Sequence, residues 1–565
     1  MSERLDAQTQ EWPARPWIMA ALCAMAGLAF HRLVDIEDYS SALSETRQAG
    51  ATFVAVAALG FVLTVERLRW HWAVGFALGF GLVTALVGWF TAGYNLHGEI
   101  AEFPYLSGLF AAIVAAPLFQ TVRDEGAWRF PYGRLHSHAW TDAVIGAASL
   151  FFTGVTFLMA WLIAGLFDLI GIDLLKDLLE EEWFAWMLAG FAFGGAFGLL
   201  RERDRLVATL LRLVMVTFSV LAPVLAAALA LFLLSIPFTG LEGLWDSWVS
   251  ATALLLAASG GAVLLANAVI GDGRDDKPAN RVLRWSALAL VAVVLPLAIL
   301  AGVAMAIRIG EYGWTPERIW GAIAVGVALA YGLGGWWAIW RGRRQFDDSL
   351  RPVQTSLAIG LCALALFLAL PILDFGAISA RSQLARLESG RVEPAKFDWA
   401  AMAFDFGPSG RRRLAELARS GPAAWRAQAA SALASTDRWA VAERTRAATE
   451  ADEVAKRVRV LTPGLRLTPE MLRRIATRRL CRKDTQCAVL DIGRSRLLVV
   501  TSHGERRGGQ VTATEIDMSR PVDVEVAPAP PATEVADLAT ARVEIRPAPR
   551  RQLYVDGKPV GEPFE

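Results

Sequence analysis

Residues 213–238 read LVMVTFSVLAPVLAAALALFLLSIPF, an unbroken run without Asp, Glu, Lys, Arg or His. Rising about 1.5 Å per residue, an α-helix of this length exceeds the roughly 30 Å needed to cross a hydrocarbon layer. A helix also pairs the peptide groups of such a segment internally, as lipid requires. The same reading recurs on both sides of it. Membrane spans are expected at roughly 16–31, 49–66, 72–92, 102–121, 141–169, 183–200, 213–238, 248–270, 285–307, 319–340 and 353–374. Hydrophobic residues make up 55% of the chain and charged residues 20%. A large soluble protein with buried helices is the competing interpretation, but core helices rarely stay uncharged for so long. The expected fold is an all-α polytopic membrane bundle of about eleven transmembrane helices, residues 1–375, with a small C-terminal α+β soluble domain. That domain divides into a helical segment, 376–480, and a small antiparallel β part, 481–565.

Tryptophans mark many span ends, as at Trp17, Trp72, Trp140, Trp183, Trp248, Trp285, Trp320 and Trp340. Indole rings favour the headgroup level, so these residues are expected to be interface anchors. The first apolar run lacks a small-residue cleavage pattern and reads as a retained span rather than a signal peptide. Basic residues in the short loops set the orientation. Counting the loops alternately from the N-terminal tail, one set holds nineteen Lys and Arg and the other five. The richer set is assigned to the cytoplasm. An odd number of spans then puts the C-terminus outside, in the periplasm of a two-membrane bacterium. Residues 376–484 are themselves basic, but long domains translocate largely regardless of charge. Only six of the 56 basic residues are Lys, a bias expected of a GC-rich bacterial gene.

The spans are read as free of ionisable residues in their middles, with Glu66, Asp142, Asp168, Arg308 and Asp374 near ends. Intramembrane charges usually mark ion or proton paths, so a carboxylate-dependent coupled transporter is disfavoured. Gly190, Gly194 and Gly198 form a small-xxx-small ridge in the sixth span, and Gly75 and Gly79 another in the third. Such ridges are expected to pack against neighbouring helices, within the bundle or at a dimer interface. Pro223, Pro296 and Pro371 stand inside spans at similar spacing; a helical-hairpin repeat and chance both remain open.

Among the loops, RFPYGRLHSHAW (129–140) is expected to meet anionic headgroups. His136 and His138 lack the further ligands a metal site needs. GIDLLKDLLEEEW (171–183) reads as a short amphipathic helix on the membrane surface. In IRIGEYGWTPERIW (307–320), Thr315, Pro316 and Glu317 carry helix-start chemistry. Past 375 the chain reads as helices, with Thr468-Pro469-Glu470 starting the last. From 487 it turns to strands: CAVLDI, RLLVVTS, VTATEID, VDVEVA, ARVEIR and QLYV, the last joined by Asp556-Gly557 to KPVGE. APAPPAT (527–533) reads as a flexible connection. Cys481 and Cys487 are the only cysteines of the soluble part and are expected to form a disulfide, given an oxidising compartment. Cys23 and Cys362 fall within spans and read as small apolar residues.

The segment EYGWTPERIW (311–320), followed by SQLARLESGRVEPAKFDWAAMAFDFGPSGRRRLAEL (382–417), resembles bacterial membrane proteins catalogued as domain of unknown function 4153. The resemblance implies a polytopic inner-membrane protein with a C-terminal soluble part, and it brings no activity or catalytic residues.

No catalytic residue, cofactor site or metal site is assigned from the sequence. A net charge of +1 gives no reason to expect a nucleic-acid partner. The expected partners are the lipid bilayer and a periplasmic protein, with oligomeric state left open. Two functions compete: an envelope scaffold, sensor or regulator with a periplasmic interaction domain, and a transporter or flippase for an apolar or lipid-like substrate. An enzyme is the least favoured reading, because paired acids and a Ser-His-Asp set are missing.

Overall fold

The structure is a computed structural model that describes residues 12–35, 43–67, 69–92, 102–240, 250–272, 280–478, 480–481, 485–503, 509–519, 533–535, 543–546, 551–555 and 558–564. Among them, eleven helices are long and apolar enough to cross a membrane. They are α1 (Arg15–Val34), α2 (Glu45–Thr64), α3 (Trp70–Thr91), α4 (Glu102–Glu125) and α5 (Tyr132–Asp168), then α7 (Glu182–Arg201), α8 (Asp204–Thr239), α9 (Ala251–Ile270), α10 (Arg281–Tyr312), α11 (Pro316–Gly342) and α12 (Phe346–Ala369). The short α6 (Leu174–Glu180) lies between the fifth and sixth crossings. It buries Leu179 and leaves Leu174 exposed. The chain is therefore a multi-pass membrane protein.

Several helix boundaries follow from local chemistry. Thr315 accepts a hydrogen bond from the Arg318 amide, and Pro316 occupies the first turn of α11, as the sequence suggests. The segment 129–140, expected to be a loop, instead winds into α5 from Tyr132 onward. Its polar side chains find partners there, so the helix runs about two turns past the apolar run. Asp142 consequently lies inside a helix rather than at its edge. Pro223 and Pro296 sit within α8 and α10. Pro371 falls beyond the end of α12, where the chain breaks before α13 (Phe375–Glu388). The last crossing and the helix after it are thus separate elements.

The chain forms two compact units, Met1–Ser382 with Asp405–Ser409, and Gln383–Phe404 with Gly410–Glu565. The second contains α14 (Gly407–Ser420, which starts in the first), α15 (Ala423–Ala434), α16 (Arg438–Arg457) and α17 (Pro469–Thr477). Thr468 caps α17 by accepting from the Met471 amide. The strands are β1 (Arg459–Val460), β2 (Thr485–Gly493), β3 (Arg496–His503), β4 (Gly509–Asp517), β5 (Thr533–Val535), β6 (Val543–Arg546), β7 (Arg551–Val555) and β8 (Lys558–Phe564). They make a five-stranded sheet in the order β1-β2-β3-β4-β5 and a three-stranded sheet β6-β7-β8. All neighbours pair antiparallel except β1 with β2. The β2–β3 hairpin turns at Arg494 and Ser495, both with positive φ. Both faces of the larger sheet are buried. Val489, Leu497 and Val499 pack with Val454 of α16 and Ile475 of α17. On the other face Leu490, Leu498 and Val500 pack with Leu553 and Val555. The segment VDVEVA and the Asp556-Gly557 turn lie outside the described residues.

Candidate functional site

At one end of the bundle, where α1 and α5 begin and α2, α4 and α7 end, buried polar side chains converge. A helix C-terminus leaves its last carbonyls unpaired and carries the negative end of the macrodipole. Four side chains serve that end of α2. Gln120 and Arg201 donate to the Leu63 carbonyl (2.8 and 2.6 Å), Arg123 to that of Thr64 (2.7 Å) and Arg15 to that of Val65 (2.6 Å). Carboxylates balance the arginines. Glu202 pairs with Arg15 at 3.1 Å, Asp142 with Arg201 at 2.6 Å, and Glu66 and Asp124 with Arg123. Gln120 also donates to Asp142 (2.7 Å). Because every charge meets a partner, the cost of removing it from water is offset. The network clamps five helices together.

Sequence reasoning missed this network. Its signal was present: Arg15, Glu66, Arg123, Arg201 and Glu202 all fall at span ends assigned to the same membrane side. The two histidines point into different surroundings, as residues two apart on a helix do. His136 Nδ1 is 3.1 Å from the Tyr132 hydroxyl and His138 Nε2 is 3.0 Å from Asp124. Among the described residues no group of three or more His, Cys, Asp or Glu could hold a metal ion.

The opposite half of the bundle contains a cleft of about 430 Å³. Its walls come from five helices: Ser107 and Phe110 of α4, Ser259 and Gly260 of α9, Val294 of α10, Trp320 to Tyr331 of α11, and Leu361 to Leu368 of α12. No charged side chain lines it. The lining residues with polar side chains are Ser107, Ser259, Trp320 and Tyr331. Two of their hydroxyls are already engaged: Ser107 donates to the Ala365 carbonyl (2.8 Å) and Ser259 to that of Leu255 (2.8 Å). The volume falls in the range of about 300–1,000 Å³ usual for small-molecule sites. The cleft exists because its facing positions are small: Ser259, Gly260, Ala324, Ala328 and Ala365 leave room that Leu or Phe would fill. It reaches from near the starts of α4, α9 and α11 to mid-helix. There α10 and α11 pack closely against each other. A Cβ at Gly332 would lie 2.7 Å from Leu295 Cα, and one at Gly335 would lie 2.7 Å from Val291 Cγ1. Beyond them Leu290, Ala338, Phe346 and Leu350 are buried in a packed core.

Gly190, Gly194 and Gly198 line the face of α7 that meets α1. Atoms of Cys23, Met19 and Pro16 stand where their Cβ atoms would be, and Gly27 of α1 abuts the Trp186 carbonyl in return. The pairing 16–198, 19–194, 23–190, 27–186 advances antiparallel along both helices. Gly75 and Gly79 differ from expectation, since nothing lies within 4 Å of a Cβ at either. Gly81 and Gly88, on another face of α3, make the close contacts instead, to Phe53 and Ala57 and to Thr52 and Ala49. The Cα atoms of Cys481 and Cys487 are 5.6 Å apart, with their sulfurs in covalent contact. Both cysteines are buried, as is Cys23.

No curated protein and no solved structure matches the chain. Residues 51–417, well over half of its length, match the family described as Domain of unknown function (DUF4153), and the chain belongs to that family.

Proposed function

We propose that this is a bacterial inner-membrane protein that binds the acyl chain of a membrane lipid within its helix bundle and acts as an envelope sensor or scaffold. The N-terminus is placed in the cytoplasm. The C-terminal part, 376–480 and 481–565, is placed in the periplasm, where it would engage a protein partner. The observation that carries this reading is the charge-free cleft among α4, α9, α10, α11 and α12. An apolar chain is the ligand whose chemistry such walls match, and the surrounding bilayer supplies it. The close approach of α10 and α11 at Gly332, one residue past the lining Tyr331, favours holding a lipid over passing one through.

The test is photo-crosslinking in nanodiscs containing a phospholipid with a diazirine in its acyl chain. Adducts are expected on α11 between Ile323 and Tyr331, and Gly260→Leu should abolish them. A Cβ at Gly260 has open space around it, so the leucine fills the cleft without a clash at Cβ. Adducts confined to lipid-exposed faces such as Leu150 and Leu158 of α5, unchanged by Gly260→Leu, would overturn the reading.

The transporter reading has one observation in its favour. Pro296 removes a backbone hydrogen bond from α10 beside the Leu295–Gly332 contact, a place where that contact could open. Protein-dependent movement of a fluorescent lipid between vesicle leaflets, lost in Pro296→Ala, would support transport over holding.

A further inference from the structure

We propose that Trp320 and Phe375 couple occupancy of the cleft to the first turns of α13, so that a bound acyl chain orders the chain where it leaves the membrane bundle. This inference rests on the lipid-binding reading above and adds its regulation.

Trp320 is the lining residue nearest the start of α11. Its ring does not stand alone. Phe103 of α4 stacks on it at 5.2 Å and 25°, and Phe375 meets it edge-on at 5.5 Å and 80°. Both arrangements are favourable for aromatic quadrupoles. Phe103 is one turn from Ser107 on α4, so the trio gathers at the cleft end near the starts of α4 and α11. An occupant that touches Trp320 therefore biases the position of Phe375.

Phe375 is the first residue of α13, and its surroundings look built to transmit rather than absorb a shift. The link 370–374 is irregular and contains Pro371, which cannot extend α12. It is a joint between two helices. At the last residue of the joint, Asp374 accepts hydrogen bonds from the Ala377 amide (2.8 Å) and the Ser409 hydroxyl (2.6 Å). Gly376 packs directly on the Phe406 carbonyl, leaving no room for a Cβ. The Ser382 hydroxyl accepts from the Trp314 amide (3.1 Å). Phe375, the first two turns of α13 and segment 405–409 thus form one connected patch hinged on the bundle. Local stability of such a patch is read by amide exchange.

The experiment is hydrogen–deuterium exchange on the full chain purified in a bulky steroid-type detergent, whose rings do not mimic an acyl chain. It is run with and without a diazirine-acyl phospholipid, and with a diazirine fatty acid as a second arm. Crosslinking of the same samples reports occupancy. The expected result is severalfold slower exchange in 375–382 and 405–409 when lipid is added. That slowing should be absent in Gly260→Leu, which blocks the cleft. It should also be absent in Phe375→Ala, which should still crosslink the probe. Protection by the phospholipid alone assigns the ligand to membrane lipid; protection by the fatty acid as well assigns it to the chain whatever its headgroup. If the wild type crosslinks lipid in the cleft but exchange is unchanged, or if Phe375→Ala responds like wild type, the coupling is overturned and the binding site stands. If no adduct forms in the cleft, both readings fall.

Discussion

Replacing Gly194 by leucine tests the packing of α1 on α7 at its tightest point. A Cβ there would overlap the Met19 carbonyl oxygen and lie 2.7 Å from Cys23 Sγ and 2.8 Å from Cys23 Cβ. Ordinary carbon contacts sit near 3.5–4.0 Å, so the helices must part by about 1 Å before any leucine branch is placed. Neither helix can bend away locally, because Gly190 on Cys23, Gly198 on Pro16 and Gly27 on Trp186 are equally close. The whole crossing must open. Overpacking costs about 1–3 kcal/mol where side chains can adjust; here the nearest obstacle is the Met19 carbonyl, which is backbone, and the upper end of that range is expected. Thermal unfolding in detergent, followed by size-exclusion of the surviving fraction, measures it. Gly75→Leu is the control, since nothing lies within 4 Å of a Cβ at that position. Unchanged stability of Gly194→Leu, or equal damage from Gly75→Leu, would mean that the α1–α7 contact is not the constraint at this position.

Asp142→Ala should destabilise the protein by about 3–5 kcal/mol, the cost of leaving a buried arginine without its carboxylate. Adding Arg201→Leu should recover part of the loss, though not all, because Arg201 also serves the Leu63 carbonyl; denaturant titration of the single and double variants decides it. A disulfide between Cys481 and Cys487 should leave no maleimide-reactive thiol at these positions when protein from its native membrane is unfolded in SDS without reductant. The bond should add about 2 kcal/mol for so short a loop; labelling of both thiols before reduction would reject the bond and weaken the periplasmic placement. Alkaline phosphatase fused after Glu565 should be active, because it folds only outside the cytoplasm, and an inactive fusion beside a fluorescent cytoplasmic reporter would reverse the orientation.

The membrane crossings were legible because each depends on a local property, an apolar run of sufficient length. The start of α5 was not, because the polar residues of 129–140 find helix-compatible partners that only the fold supplies: Asp124 for His138, and Asn267, 3.2 Å away, for Tyr132. The glycine ridges show a similar limit. Spacing identifies a small-residue face, but only the neighbour decides whether it is used, and α3 turns Gly81 and Gly88 inward rather than Gly75 and Gly79. Most links of the buried network join residues 50 to 190 positions apart, such as Arg15 with Val65 and Trp12 with Glu202. Those partners lie on or beside different helices, beyond the reach of periodicity. The cleft was the least legible feature. It is a shared deficit of side-chain volume on several helices, and no single segment records it. Thr315 and Thr468, by contrast, cap their helices as their local sequences indicate.

The proposed function stands or falls on whether the space among α4, α9, α11 and α12 holds a lipid chain. A density map of the protein in lipid nanodiscs tests it most directly. An elongated feature is expected alongside Ser259, Gly260 and Ala328, beginning near Trp320 and ending at Val294 and Tyr331, and it should be lost in Gly260→Leu. Helices closed together at Gly260 and Ala328, with side chains filling the space and no density between them, would contradict it.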